Sequence, residues 1–328
     1  MTKRIDSNSG SEMASIVVIG ASGFVGRAIL SDCRTHRIKA IVRNLPHDSG
    51  GFPGNIFWLE DDLADPIRLA SRFEPGDVVI NLAYGGKVGA KENMRMIDHI
   101  TAACRESGAT RLVHCSTAVV VGAAKETRIT GGTTCFPQTD YEKAKWSIEQ
   151  RVRDGVSDGL DVGILRPTAV LGPGGLNLAK LARSLKEGSR LINYLRASLY
   201  GRRNMHLVPV RVVVDALMLL ATWPMPLGGE AHIISADDDP RNNFSDIEQI
   251  LAHALGVDPC RIPLIPVPAI GLSAALQLMG RSETNPNRYY ETSSVLKQSL
   301  GQLEPIENAV MQYGKWWLEQ RHHIPGTI

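Results

Sequence analysis

The sequence predicts an α/β protein built on a doubly wound parallel sheet with a smaller second α/β domain. Three observations predict it. Short β-branched runs alternate with helical stretches through the first 170 residues. Those runs are continuously apolar, as in strands covered on both faces. And Gly20, Gly23 and Gly26 stand three apart where the first run meets the first helix, in IVVIGASGFVGRAIL (16–30).

The expected strands are 15–20, 38–43, 55–59, 77–82, 111–116 and 161–166, with helices at 24–34, 65–72, 91–107 and 141–154. After Pro167 the rhythm becomes irregular, with helix-like segments near 178–187, 212–222, 244–255 and 306–320. The chain divides into a disordered leader (1–13), a Rossmann-like domain (14–170) and a mainly substrate-binding part (171–328). At 328 residues, 43% hydrophobic and 21% charged, it is long enough for a large core or two domains. A net charge of +2 with interspersed signs argues against nucleic acid or an anionic membrane surface as partner. Five scattered cysteines form no CxxC pair, which argues against a disulfide framework or a metal site and for a reducing, cytoplasmic compartment. Two apolar runs, 207–221 and 262–280, are expected to pack inside or wall a pocket. The first carries Arg211 and Asp215 and the second is broken by Pro263, Pro266 and Pro268.

The glycine turn sits between a strand and a helix, the context in which a pyrophosphate meets helix N–H groups. A packing turn is the competing reading. The second strand ends in Arg43, where a ribose-binding carboxylate would favour NAD. An arginine attracts a 2′-phosphate instead, so NADP(H) is expected, with NAD possible. Asp62 is a candidate acceptor for the adenine amino group, with Leu63 beside it; a helix cap is the competing role, and Asp61 is open to the same exchange.

Tyr141 and Lys145 lie one turn apart on a predicted helix, YEKAKWSIEQRV, so the ammonium is expected to stabilise phenolate and lower the tyrosine's proton affinity. The fifth strand leads into Ser116 and Thr117, whose hydroxyls can reach a substrate carbonyl.

With GASGFVG (20–26), HCSTAVVVG (114–122), YEKAK (141–145) and LRPTAVLGPGG (165–175) in this order, the chain resembles the extended short-chain dehydrogenase/reductases. The resemblance implies Tyr141 as general acid/base, Lys145 as its ribose-binding partner and Thr117 as the catalytic hydroxyl, with Ser116 the alternative. It also implies cofactor contacts at Gly20, Ser22, Gly23, Phe24, Val25, Leu82, Ala83, Pro167 and Thr168, and a helix asparagine at Asn93. Substrate contacts are expected at Ser116, Asn177, Arg202 and Arg203. Arg190, Arg196, Arg202 and Arg203 form a candidate cluster for a diphosphate, with a solvated basic face as the other reading. A homodimer through the helices 91–107 and 141–154 is implied as well.

The chain departs from the nucleotide-sugar epimerases at Thr168 (usually Asn), Met205 (usually Arg) and Val210–Val212 (usually aspartates). Ala118 also replaces the glutamate that a dehydratase needs. The expected activity is NADP(H)-dependent reduction of a keto group on a nucleotide-diphosphate sugar, of the 4-keto-6-deoxyhexose type found in polysaccharide biosynthesis. An NAD-dependent 4-epimerase or dehydratase, a reductase of a small hydrophobic ketone, and a nucleotide-sensing scaffold without chemistry are the alternatives.

Overall fold

The computed structural model describes residues 15–46, 51–86, 88–258, 265 and 285–320. The expected leader, and the apolar segment 262–280 apart from Ile265, lie outside them. Six strands form where expected: β1 (Ile16–Ile19), β2 (Ile38–Val42), β3 (Ile56–Glu60), β4 (Val78–Asn81), β5 (Arg111–Cys115) and β7 (Asp161–Pro167). A seventh, β10 (Ala231–Ile234), joins them, giving a parallel sheet in the order β3–β2–β1–β4–β5–β7–β10. Reversal of direction beside β1 makes this a doubly wound Rossmann-like sheet.

Alternation along each strand divides the core into two layers. Ile16 and Val18 of β1 pack with α1 (Phe24–Asp32) and α7 (Val210–Ala221). Val17 and Ile19 face α2 (Pro66–Ala70), α3 (Ala90–Ser107) and α4 (Asp140–Ser157). Lys39, in mid-sheet, is buried because its ammonium meets Asp77 at 2.8 Å and Glu74 at 3.1 Å. β10 and α7 both come from beyond residue 170, so the late chain completes the sheet layer as well as covering it.

Beyond β7 the chain leaves the sheet at its carboxyl edge. β8 (Ala169–Leu171) pairs in parallel with β9 (Leu207–Pro209), and β6 (Arg128–Ile129) with β11 (Tyr289–Tyr290). Helices α5 (Ala179–Glu187), α6 (Arg190–Tyr200), α8 (Phe244–Ala254) and the helix Ile306–Gln320 close around Leu181, Ile247, Leu251, Val310 and Trp317. The helix α6 was not expected from the sequence. Leu191, Ile192 and Leu195 on it are exposed, so it lacks a simple buried stripe.

Glu248 on α8 has a buried Oε1 with no hydrogen-bond partner, and burial pushes its pKa from 4.5 up to about 7 against the pull of Arg196. The folded chain then holds a proton that the unfolded chain has lost, so this group's stabilisation is full below about pH 4.5 and disappears as pH rises through about 7. Glu248→Gln should flatten that fall in thermal midpoints measured from pH 4 to 8, these being ~pH limits set by the same linkage. An unchanged slope would refute it.

Candidate active site

Gly20 adopts φ +81°, and a Cβ there would stand 3.1 Å from the Ala83 nitrogen. At Gly26 a Cβ would stand 2.6 Å from the carbonyl oxygens of Gly20 and Ala21, so only glycine lets α1 lie this close to the turn. Gly23 caps α1 with no side-chain hydrogen bond, so no side chain occupies the first-turn N–H groups next to Ser22, Phe24 and Val25, an end that favours an anion. Leu82 and Ala83 form the opposite lip. The Leu82 N–H donates to Ile19 and the Ala83 N–H to Asn81 Oδ1. Asn93, buried in α3, accepts from the Gly85 N–H and donates to the carbonyls of Gly85, Val88 and Gly89, holding the loop after β4. The cradle's shape and donors fit a pyrophosphate.

Arg43 is exposed directly beyond the end of β2. In LEDDLAD the three aspartates divide three ways. Asp61 is buried and accepts from the Leu63 N–H and from Arg68 Nε at 3.0 Å. Asp62 is exposed, with the Ala64 N–H and Arg68 as partners, and the Ala64 bond foremost holds its carboxyl below the ordinary range. The helix cap is Asp65, which accepts from the Ile67 and Arg68 N–H groups. Leu63, at φ +63°, is buried behind Asp62.

Thr117 follows β5 and caps a turn of 3-10 helix, Ala118–Val121, its hydroxyl accepting from the Val119 N–H at 3.4 Å. Ser116 is buried and gives its hydroxyl to Glu149 at 2.9 Å, so of the two candidates it is the one committed to the interior. A capping box of Thr139 and Glu142 starts α4 one residue from Tyr141 and sets the helix register. Tyr141 is half-exposed while Lys145, one turn on, is buried. Tyr84, from the loop after β4, joins the two: its ring lies edge-to-face with Tyr141 at 5.6 Å, and Lys145 Nζ sits 4.9 Å above it.

One electrostatic expectation is corrected. Tyr141's pKa is raised rather than lowered, by burial first and then by Tyr84 and Cys115. Lys145 is itself committed elsewhere: its Nζ donates to the Cys115 carbonyl at 3.4 Å, and burial lowers its own pKa. The phenol therefore keeps its proton through neutral pH.

Next to these groups lies a cavity of about 420 Å³, walled by Ala118 and Val119 after Thr117, by Glu142 after Tyr141, and by Thr168. Apolar surface comes from Tyr200, Met205, Phe244 and Tyr290, charge from Arg203 and Arg288, and a polar ring from His206. Pro167 closes β7, and Thr168 binds the Ile234 carbonyl through its N–H at 3.1 Å.

The four arginines of the candidate cluster do not all line the cavity. Arg190 is exposed at the start of α6, Arg196 donates to Ser184 Oγ at 2.7 Å, and Arg202 pairs with Asp246 at 3.2 Å. Six residues of helix turn Arg190 and Arg196 apart. Of the four, only Arg203 faces the cavity. Asn177 donates to the Val170 carbonyl at 2.7 Å, which fixes its own loop. Sequence reasoning missed Tyr84, His206 and Arg288, which belong to no local spacing. Among the described residues no group of three or more His, Cys, Asp or Glu could hold a metal, and no helix is long and apolar enough to cross a membrane.

The model of the NAD dependent epimerase/dehydratase family matches residues 16–228, and the chain belongs to that family. A curated relative, 2-alkyl-3-oxoalkanoate reductase of Stenotrophomonas maltophilia (strain K279a), is 30% identical over 189 residues. That match covers 53% of this chain and 56% of the relative, so the chain spans little more than half of the relative's length in it. Among solved structures, the Bordetella bronchiseptica enzyme WbmH in complex with NAD+ superposes with a TM-score of 0.68 at 17% identity, covering 94% of this chain and 99% of that one. The dTDP-glucose 4,6-dehydratase of Bacillus anthracis str. Ames, in complex with NAD, gives 0.67 at 16% identity, with 94% and 98% covered. Likeness at these identities is likeness of fold.

Proposed function

We propose that the protein is an NADP(H)-dependent reductase of a carbonyl substrate with an apolar body. The observation that carries this reading is the placement of Tyr141 and Lys145 around Tyr84, at the strand end that bears Thr117, beside a cavity lined by Val119, Tyr200, Met205 and Phe244. Gly20, Gly23, Leu82 and Ala83 would hold the dinucleotide, and Arg43 would meet its 2′-phosphate. When bound, the nicotinamide supplies the hydride. Thr117 then orients the carbonyl oxygen, and Tyr141, which retains its proton at neutral pH, donates it to the oxygen that becomes the alcohol. Lys145 would supply a donor for a ribose hydroxyl.

The 30% identical relative is named for reduction of an oxoalkanoate, which agrees with an apolar substrate. That only Arg203 of the four candidate arginines lines the cavity argues in the same direction. Reduction of a nucleotide-diphosphate keto sugar is the second reading, favoured by the fold shared with a dTDP-glucose dehydratase. NAD-linked epimerisation would use the same Tyr141. The proposal includes a cytoplasmic homodimer through α3 and α4.

Turnover of each dihydronicotinamide with 2-octanone, 3-oxooctanoate and UDP-4-keto-6-deoxyglucose tests the reading. NADPH oxidation with the aliphatic ketones is expected to exceed that with the sugar. Preference for the sugar, or for NADH, would overturn the corresponding half.

A further inference from the structure

The cavity beside Thr117 is more basic than proton transfer by Tyr141 requires. Arg203, His206 and Arg288 face it, against Glu142 as the one carboxylate among the described lining residues. Glu142 Oε2 accepts from the backbone N–H groups of Gln138 and Thr139, the bonds that start α4.

Arg288 is only 2% exposed. Its Nη1 donates to the Gly122 carbonyl at 2.8 Å and its Nη2 to the Ala124 carbonyl at 2.6 Å, while Nε is buried with no hydrogen-bond partner. Carbonyl dipoles orient a guanidinium without neutralising it, and among the described residues no carboxylate pairs with it. A buried cation balanced only by dipoles favours the arrival of an anion. His206 adds a second device. Its backbone sits at φ +53°, uncommon for a residue with a side chain, and the Ala169 N–H grips its carbonyl at 2.8 Å. Its Nδ1 lies 2.7 Å from the buried Asp237 and its ring packs edge-on against Tyr290 at 4.9 Å. Asp237 is fixed in turn by the Tyr290 N–H.

We infer that this wall is an anion subsite and that the substrate presents a carboxylate to Arg288, with the His206 ring beside it. The inference rests on the reductase reading. It places the substrate's carbonyl toward Thr117 and Tyr141 and its aliphatic part against Val119, Met205 and Phe244. A planar carboxylate matches a guanidinium edge, and Ala118, Val119, Met205 and Phe244 give the same lining an apolar stretch, which suits a fatty acid chain better than a nucleoside diphosphate.

Calorimetric titration of the full chain with octanoate, octanamide and UDP tests the subsite without any turnover. Octanoate is expected to bind about tenfold tighter than its isosteric amide, the ordinary worth of a charged hydrogen bond. Equal affinities would overturn the proposal, and UDP binding tighter than octanoate would give the wall to phosphate. Arg288→Gln should abolish the acid-over-amide preference. Because that change also loosens Gly122 and Ala124, His206→Asn provides a second variant, expected to weaken octanoate by about threefold and leave octanamide unchanged. Loss of affinity for both ligands alike would count against an anion site. Acid-selective binding together with absent ketone turnover would uphold the subsite and defeat only the reductase reading.

Discussion

Replacing Tyr141 with phenylalanine is expected to lower carbonyl turnover by about 10²–10⁴-fold, the range a positioned general acid contributes. Only an oxygen is removed. The ring keeps its edge-to-face contact with Tyr84, the capping box of α4 is untouched, and the glycine cradle lies on other elements. Folding and dinucleotide affinity should therefore stay as they are. Loss of dihydronicotinamide absorbance with a ketone substrate measures the first, and fluorescence titration of the cofactor the second. A fall in turnover smaller than about tenfold would remove Tyr141 from the chemistry.

Glu149→Gln is expected to cost about 3–5 kcal/mol of stability, because it breaks a buried ion pair from one side. Glu149 is fully buried and accepts from Arg166 Nε at 3.0 Å, from Ser116 Oγ at 2.9 Å and from Arg153 Nη2 at 3.0 Å. Arg166, itself 1% exposed, would keep its charge and lose its counter-ion. Urea unfolding measures the loss. The paired change Glu149→Leu with Arg166→Met should be far milder, since it removes both charges together. If the single substitution cost less than about 1 kcal/mol, the network would not be holding β5, α4 and β7 together as its geometry indicates.

Most of the six strands were legible because burial on both faces makes them continuous apolar runs, β3 at the sheet edge being only partly buried. Tyr141 and Lys145 were legible because helical spacing alone puts them on one face. What lay beyond the sequence depends on long-range placement. DDLAD offers three carboxylates in five residues, and only packing decides that Asp61 goes inside, Asp62 faces solvent and Asp65 caps the helix. The orientation of Lys145 follows from the Cys115 carbonyl on another element. His206 and Arg288 reach the cavity from segments more than 80 residues apart, so no local spacing announces them. The two-stranded pairs are built from strands of two or three residues, too brief for a pattern of alternation to be read.

The late arrival of β10 bears on how the chain behaves while it is being made. β7 is buried along nearly its whole length, DVGILRP, yet one of its two sides is covered only once residues 231–234 emerge. Until then a flat apolar strand stands at the end of the sheet with its N–H and C=O groups unpaired, the surface most prone to recruit another chain. A fragment ending at residue 228, where the family match ends, would keep every group assigned here to proton transfer and still carry that open edge permanently. Its fate would be self-association, with the catalytic residues intact and the sheet unfinished.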